Sequence, residues 1–408
     1  MIAYLASINA LQSVASLEKE LPMDNNFDVV ARKKYEGLLP RKWTNVMRLQ
    51  RRILDLESRI TNLESKLECA SPIDIEPMAT IRLPGSDAKH TLQSHRAAIT
   101  CLAFHPLYPS LASASEDCFI KIWDREVGVL ECTLRGHSRP VFGLDFGGPQ
   151  GRTLLASGSG DLTIKLWDPN TDYANVRTLH GHDQPVTAVR FLTPTGTLLV
   201  STGRDASIRI WDILTGYCVK HIDTGGEWIR DIAPSFDGVY IVARGNDRTA
   251  MVWEASSGQP KASLPGHESY IECCAFAPAL SHSNIAALAQ SMVSSLKGST
   301  FIATGSRDKT IKLWNDRGIL VKTLVGHDSW VRGLAFHPGG RYLICVGDDR
   351  TIRCWDLSQD ARLVKTVDDS SEQYITCIRW GPKQIHRDRG ICHVLGTGGA
   401  DCCVRIWM

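Results

Sequence analysis

The chain has 408 residues, 43% of them hydrophobic and 22% charged, with a formal net charge of +2. These values fit a globular protein with a large core and room for more than one domain, and they exclude a bulk-charge attraction to nucleic acid or membrane. Thirteen cysteines without a disulfide-framework spacing point to a reducing compartment, cytosol or nucleus, and no apolar run reaches the roughly 18–20 residues of a membrane span.

The first segment, residues 1–24, is mildly apolar and has no basic residue before Lys19. It therefore reads as an amphipathic helix rather than a signal peptide. Tyr4-Leu5, Ser13, Leu17 and Leu21 resemble the second half of the Lis-homology motif, a small helical dimerisation module. The match is partial: Asn9 and Ala10 stand where that motif has Gly and an aromatic. Either the module is degenerate or the sequence begins at an internal Met. Residues 25–45 read as a connecting helical segment.

Residues 46–68 follow with an apolar heptad: Val46, Leu49, Ile53, Leu56, Ile60, Leu63 and Leu67. The alternating three- and four-residue spacing, with charged residues on the other faces, is a coiled-coil signature that favours a parallel homodimer. A helix packed on its own neighbouring domain is the alternative. Residues 69–88, with Pro72, Pro77 and Pro84, read as a flexible linker.

From residue 89 to 408 the sequence repeats. Asp-x5-Trp occurs seven times: Asp117/Trp123, Asp161/Trp167, Asp205/Trp211, Asp247/Trp253, Asp308/Trp314, Asp349/Trp355 and Asp401/Trp407. Between Asp and Trp the apolar residues alternate, which predicts a strand leaving a tight turn. Gly-His phrases recur at His137, His182, His267 and His327, with Ser94-His95 as a variant, and Trp-to-Trp spacing is mostly 41–44 residues. These phrases resemble the WD-repeat family, which implies an all-β seven-bladed propeller.

The resemblance also implies a hydrogen-bonded structural tetrad in each complete repeat. The candidates are His95, Ser113, Asp117 and Trp123; His137, Ser157, Asp161 and Trp167; His182, Ser201, Asp205 and Trp211; and His267, Thr304, Asp308 and Trp314. Repeat four has Gly225 and Ala243 at the His and Ser positions, repeat six has Cys345 for the hydroxyl, and repeat seven has Ser371 for His. Those blades are expected to be less rigidly tied. The last repeat ends without an outer strand, and residues near Thr91 have the outer-strand phrase, so they should complete blade seven and close the ring. Repeat five carries an insertion at about 279–299, either a short amphipathic helix or a disordered loop.

Candidate partner-binding residues lie on one rim. Three residues after each tetrad His position stand Ala98, Pro140, Pro185, Trp228, Tyr270, Trp330 and Tyr374. Repeats four and six add Arg230 and Arg332, and the residues before the turn aspartates add Arg204, Asn246 and Arg307. Aromatics and arginines on one arc have the composition of a protein-binding hot spot, the alternative being rings packed under neighbouring loops. The repeated aspartates and histidines occupy structural slots. His386, Cys392 and His393 lack zinc spacing, and no phosphate loop or nucleophile elbow occurs, so neither an enzyme nor a cofactor is expected.

Residues 33–46, KKYEGLLPRKWTNV, together with the order of helical module, coiled coil, seven repeats and repeat-five insertion, resemble the lissencephaly/nuclear-distribution family. That resemblance implies a cytoplasmic, microtubule-associated protein that reaches the spindle pole. It implies a regulator of cytoplasmic dynein that binds the dynein heavy chain and nuclear-distribution coiled-coil adaptors. The alternative is an accessory subunit of an enzyme such as platelet-activating factor acetylhydrolase. The family's phrases at dynein-contacting positions match 326–332, GHDSWVR, and 227–230, EWIR.

Overall fold

The structure, a computed structural model, describes residues 83–408 except 150, 227, 246–247, 289–298, 369, 382–383 and 387–389. The candidate dimerisation residues Val46 to Leu67, the Lis-homology segment and Asn246 lie outside the described residues.

The described residues form seven four-stranded antiparallel sheets and one small hairpin. Each sheet is a blade made of one sequence repeat. Blade seven is the exception: Ile375–Trp380, Leu395–Gly399 and Cys403–Trp407 are completed by His90–Gln93, with Thr91 opposite Arg405. This pairing closes the ring with a strand from the other end of the domain and removes an open sheet edge. The approach to it is tied as well. Pro84 is buried, Leu83 packs between blades six and seven, and Lys89 N–H donates to the Ile406 carbonyl.

Blades pack face to face, so the core is not one central cluster but seven interblade layers. One holds Leu155 and Trp167 with Ile122 of blade one, another Ile241 and Trp253 with Ile210 of blade three. Strands buried on both faces need not alternate. Ser110–Ser115 and Ile120–Asp124 are buried throughout, whereas the outer strand Val129–Leu134 alternates between exposed and covered positions.

The tetrads explain why each Asp-x5-Trp phrase folds as it does. In blade one His95 Nδ1–H donates to Asp117 Oδ2 at 2.8 Å, and Trp123 Nε1–H donates to Ser113 Oγ at 2.8 Å. The Ser113 hydroxyl is then free to donate to His95 Nε2 at 2.8 Å. Blades two, three and five repeat the chain through His137–Asp161, His182–Asp205 and His267–Asp308, ending on Trp167, Trp211 and Trp314. The carboxylate's other oxygen accepts the backbone N–H two residues on, as in Phe119 and Thr310. This forces the intervening residue into the left-handed region, where Cys118, Leu162, Ala206, Arg248, Lys309, Arg350 and Cys402 all sit.

The three divergent blades behave differently from one another. Blade six keeps the connectivity of the tetrad, but through sulfur, a weaker hydrogen-bonding atom than oxygen. His327 bonds both Asp349 and Cys345 Sγ, and Trp355 Nε1–H reaches the same sulfur at 3.2 Å. In blade seven Thr397 accepts the Trp407 N–H, while Ser371 and Arg405 cover Asp401. Blade four is truly deficient: buried Trp253 Nε1 has no partner among the described residues. Ala243→Ser should supply the missing acceptor and stabilise the protein by about 1 kcal/mol in urea denaturation.

The insertion begins with a 3₁₀ turn, Ala279–Ser281, and helix α1, His282–Leu288, whose Ile285 is buried against blades five and six. Asn284 Nδ2 donates to the Gly340 carbonyl of the neighbouring blade.

Two inner-strand turns carry buried histidines whose Nδ1 accepts backbone N–H bonds. His105 accepts from Leu107 and Tyr108, and His337 accepts from Gly339. Burial lowers both to about 4, helped by Arg125 and His393 respectively. The unfolded imidazole protonates near 6.5. The stability each contributes is therefore present above that pH and lost as pH falls toward 4, on the order of 2 kcal/mol each. Melting curves should show this loss between pH 7 and 4.5. The double variant His105→Ser/His337→Ser should flatten it, because Ser235 fills the same slot in blade four and accepts the Tyr240 N–H.

Candidate functional site

The innermost strands line an axial channel, and a repeated irregularity sets what its mouth presents. Register shifts at Ile99/Cys101, Val141/Gly143, Val186/Ala188, Ile271/Cys273, Val331/Gly333 and Ile375/Cys377 mark one extra residue in six of the seven inner strands. Such bulges re-aim a side chain. Here they bring Thr100, Phe142, Thr187, Glu272, Arg332 and Thr376 to the channel, with Arg230 at the matching position of blade four. The three threonines stitch adjacent blades: Thr100 donates to Val141 O, Thr187 to Ile229 O and Thr376 to Ile99 O.

Blades four to six replace that neutral stitch with charge. Glu272, with only 6% of its side chain exposed, is the hub. Arg307 Nε lies 2.5 Å from its Oε1 and Arg230 Nη1 3.3 Å. Arg332 and Arg244 approach Oε2 at 3.7 and 3.9 Å. Burial alone would raise this carboxyl, but Arg244, Arg307 and Arg332 hold it below the usual glutamate value. Asp348 takes the other edge of Arg332 in a two-pronged bond of 2.7 and 3.1 Å. Burial and the crowding of Arg244, Arg307 and Arg204 push Arg230 below the usual arginine value.

Above this cluster the aromatics form a stacked ladder. Arg307 sits 5.4 Å from the Tyr270 ring and 4.1 Å from Trp330; Arg332 sits 4.9 Å from Trp330 and 5.4 Å from Tyr374. The run Tyr270–Arg307–Trp330–Arg332–Tyr374 is therefore continuous across three blades. Arg204 stacks on Trp228 at 4.9 Å to begin a second run. A backbone bond places Tyr270 beside its arginine: Arg307 N–H donates to Tyr270 O. Trp228, Tyr270 and Tyr374 remain substantially exposed. These three rings thus lie against guanidinium groups rather than disappearing under loops.

Glu272, Arg244 and Asp348 were not singled out from the sequence. Glu272 had a signal, since it occupies in repeat five the position of Arg230 and Arg332. Its charge is opposite to theirs, so it breaks the repeated pattern of like residues at that position. Arg244 lies inside a strand and has no positional cue. No three His, Cys, Asp or Glu side chains converge as a metal set among the described residues.

The WD domain, G-beta repeat family model matches residues 86–124, 128–168, 174–212, 216–254, 258–315 and 318–356. The chain is 55% identical to nuclear distribution protein nudF of Aspergillus niger over 434 aligned positions, spanning 100% of this chain and 96% of that protein. The chain belongs to the nuclear distribution protein family. Family members PAC1-1 of Uncinocarpus reesii and nudF of Emericella nidulans are 55% and 56% identical, over 100% and 94% of this chain and 96% and 87% of their own lengths. The family's WD-repeat model stops at blade six, while the seventh blade is evident in the strand pairing.

Proposed function

We propose that this chain is a non-catalytic regulator of cytoplasmic dynein that binds the motor and coiled-coil adaptors through the arc on blades four to seven. In this role it supports minus-end-directed transport, nuclear migration and spindle positioning. The observation that carries the reading is the ladder of aromatics, three of them substantially exposed and Trp330 partly buried, packed against arginines over a buried carboxylate hub. Pre-organised aromatic and arginine side chains lose little conformational entropy on binding, which is what makes a hot spot. The naming of its relatives as nuclear distribution proteins supports the same role.

The test is binding of Trp330→Ala and Arg230→Ala variants to a dynein motor domain, with folding checked by circular dichroism. Each truncation should weaken binding by about 2 kcal/mol or more, roughly thirtyfold. Unchanged affinity in both sinks the reading. Dimerisation through Val46, Leu49, Ile53, Leu56, Ile60, Leu63 and Leu67 belongs to the same proposal. Light scattering should give a dimer for residues 1–408 and a monomer for residues 83–408.

A further inference from the structure

We propose that Phe142 is a positioning residue for partner binding, which carries the arc into blade two by presenting Arg204 to a carboxylate of the partner. The inference rests on the partner-binding reading of the arc.

The inner-strand bulge of blade two turns Phe142 toward the channel, as the other bulges turn Thr100, Thr187, Glu272, Arg332 and Thr376. The threonines each donate to a backbone carbonyl, and Glu272 and Arg332 form an ion pair. Phe142 has no polar group to satisfy, yet its ring is only partly covered in a channel with charged walls. Leaving an aromatic face there is a free-energy cost unless the ring serves a contact. That contact is Arg204 of the next blade. Its guanidinium lies over the Phe142 ring, 5.8 Å from the centroid, and over the Trp228 ring at 4.9 Å. Both fall within the roughly 6 Å reach of a cation–π interaction.

Blade two is built to admit this contact. The residue before the turn aspartate is Glu116, Arg204, Arg307 and Asp348 in blades one, three, five and six, but Gly160 in blade two. A β-carbon on Gly160 would already touch Phe142 Cε2 at 3.5 Å, so a longer side chain there would crowd the ring. The rim loops of blades two and three carry Pro140 and Pro185 where blades four to seven carry aromatics. Phe142 thus supplies from an inner strand the ring those loops lack. Arg204 also differs from the arginines further round the arc. Arg307 is tied to Glu272, and Arg332 to Glu272 and Asp348. The partly buried Arg204 side chain has no carboxylate or hydrogen-bond partner among the described residues. Two rings hold it, and its backbone N–H donates to Pro185 O. A guanidinium lying over ring faces keeps its N–H edge for an acceptor, and a carboxylate matches that edge in two-pronged geometry. Arg204 is one of the arginines whose charge lowers Arg230, so a partner carboxylate would also relieve repulsion between them.

The test is the affinity of the full chain for a dynein motor domain in Phe142→Leu, Phe142→Tyr, Arg204→Gln and the double variant Phe142→Leu/Arg204→Gln. Trp330→Ala and Arg230→Ala serve as references for the arc, and thermal melting checks folding. Phe142→Leu keeps apolar bulk but removes the ring face, and should weaken binding about fivefold, the size of one exposed cation–π contact. Phe142→Tyr retains the face and should bind as the native chain does. Arg204→Gln should weaken binding about tenfold, as expected for a hydrogen bond to a charged group, and should make affinity fall less steeply with salt. The double variant should bind no more weakly than Arg204→Gln alone, because the ring acts only through the guanidinium. Native affinity in Phe142→Leu, an equal loss in Phe142→Tyr, or losses that multiply in the double variant would each overturn the proposal. An unchanged salt dependence in Arg204→Gln also overturns it, because the guanidinium then meets no charge. If Phe142→Leu melts well below the native chain, Arg204→Gln decides by itself, and native affinity there is fatal. Should the two arc references weaken binding while Phe142→Leu and Arg204→Gln do not, this inference fails and the arc stands. Should the references also bind as the native chain does, the arc reading itself fails.

Discussion

Asp308→Ala should destabilise the propeller by about 3–5 kcal/mol, measured as the shift in urea or thermal denaturation. The carboxylate accepts four bonds: His267 Nδ1–H at 2.7 Å, Glu268 N–H at 3.1 Å, Thr310 N–H at 2.9 Å and the Thr310 hydroxyl at 2.6 Å. Deleting it strands the His267 ring, whose side chain is fully buried, and releases the turn that holds Lys309 in the left-handed region. The loss passes along the chain to Thr304 and Trp314. The same bonds give the effect a pH dependence. Burial alone would raise the carboxyl, but His267 and Thr310 hold it well below the usual carboxylate range. An unfolded aspartate titrates near 3.9. The stabilisation is therefore present above about pH 4 and disappears as pH falls below it. Acid titration of Asp308→Ala should show a shallower loss than the native chain in that window.

Glu272→Gln should destabilise blades four to six by about 3 kcal/mol or more, because it leaves several guanidiniums facing one another without their shared carboxylate. Arg230, Arg244, Arg307 and Arg332 then repel across a partly desolvated mouth. The Trp330 ring, stacked between Arg307 and Arg332, loses the geometry that holds it. Partner affinity should fall with stability, although Glu272 itself is buried. Hydrogen exchange localised to the inner strands of blades four to six, with blades one to three unaffected, is the expected signature. Uniform destabilisation of all seven blades would show that the hub is not a local tie.

Much of this protein is legible from spacing. The tetrad partners of blades one, two, three and five are found within single repeats, so the periodic phrase and the hydrogen-bonded unit coincide. The same holds for the arc: Trp228, Tyr270, Trp330 and Tyr374 occupy one repeat position, and Arg204 and Arg307 another. The cysteine of repeat six is less legible, because substitution of sulfur for oxygen reads as a loss. In the fold the sulfur still lies between His327 and Trp355, so the chain of contacts survives. Trp253 is the opposite case, where both partners are replaced by residues without polar side chains and nothing among the described residues substitutes for them.

The sequence by itself determined the number of blades, the tetrads and the location of the aromatic–arginine arc, because each depends on residues a fixed distance apart in one repeat. Only the tertiary structure decided that Glu272 is the hub of that arc and that an arginine-rich cavity lies beneath it. The groups that meet there, Arg230 and Arg244, Glu272 and Arg307, and Arg332, come from three different blades. Their convergence is set by ring closure and by inner-strand bulges that turn side chains into the channel, and neither leaves a periodic mark in the chain.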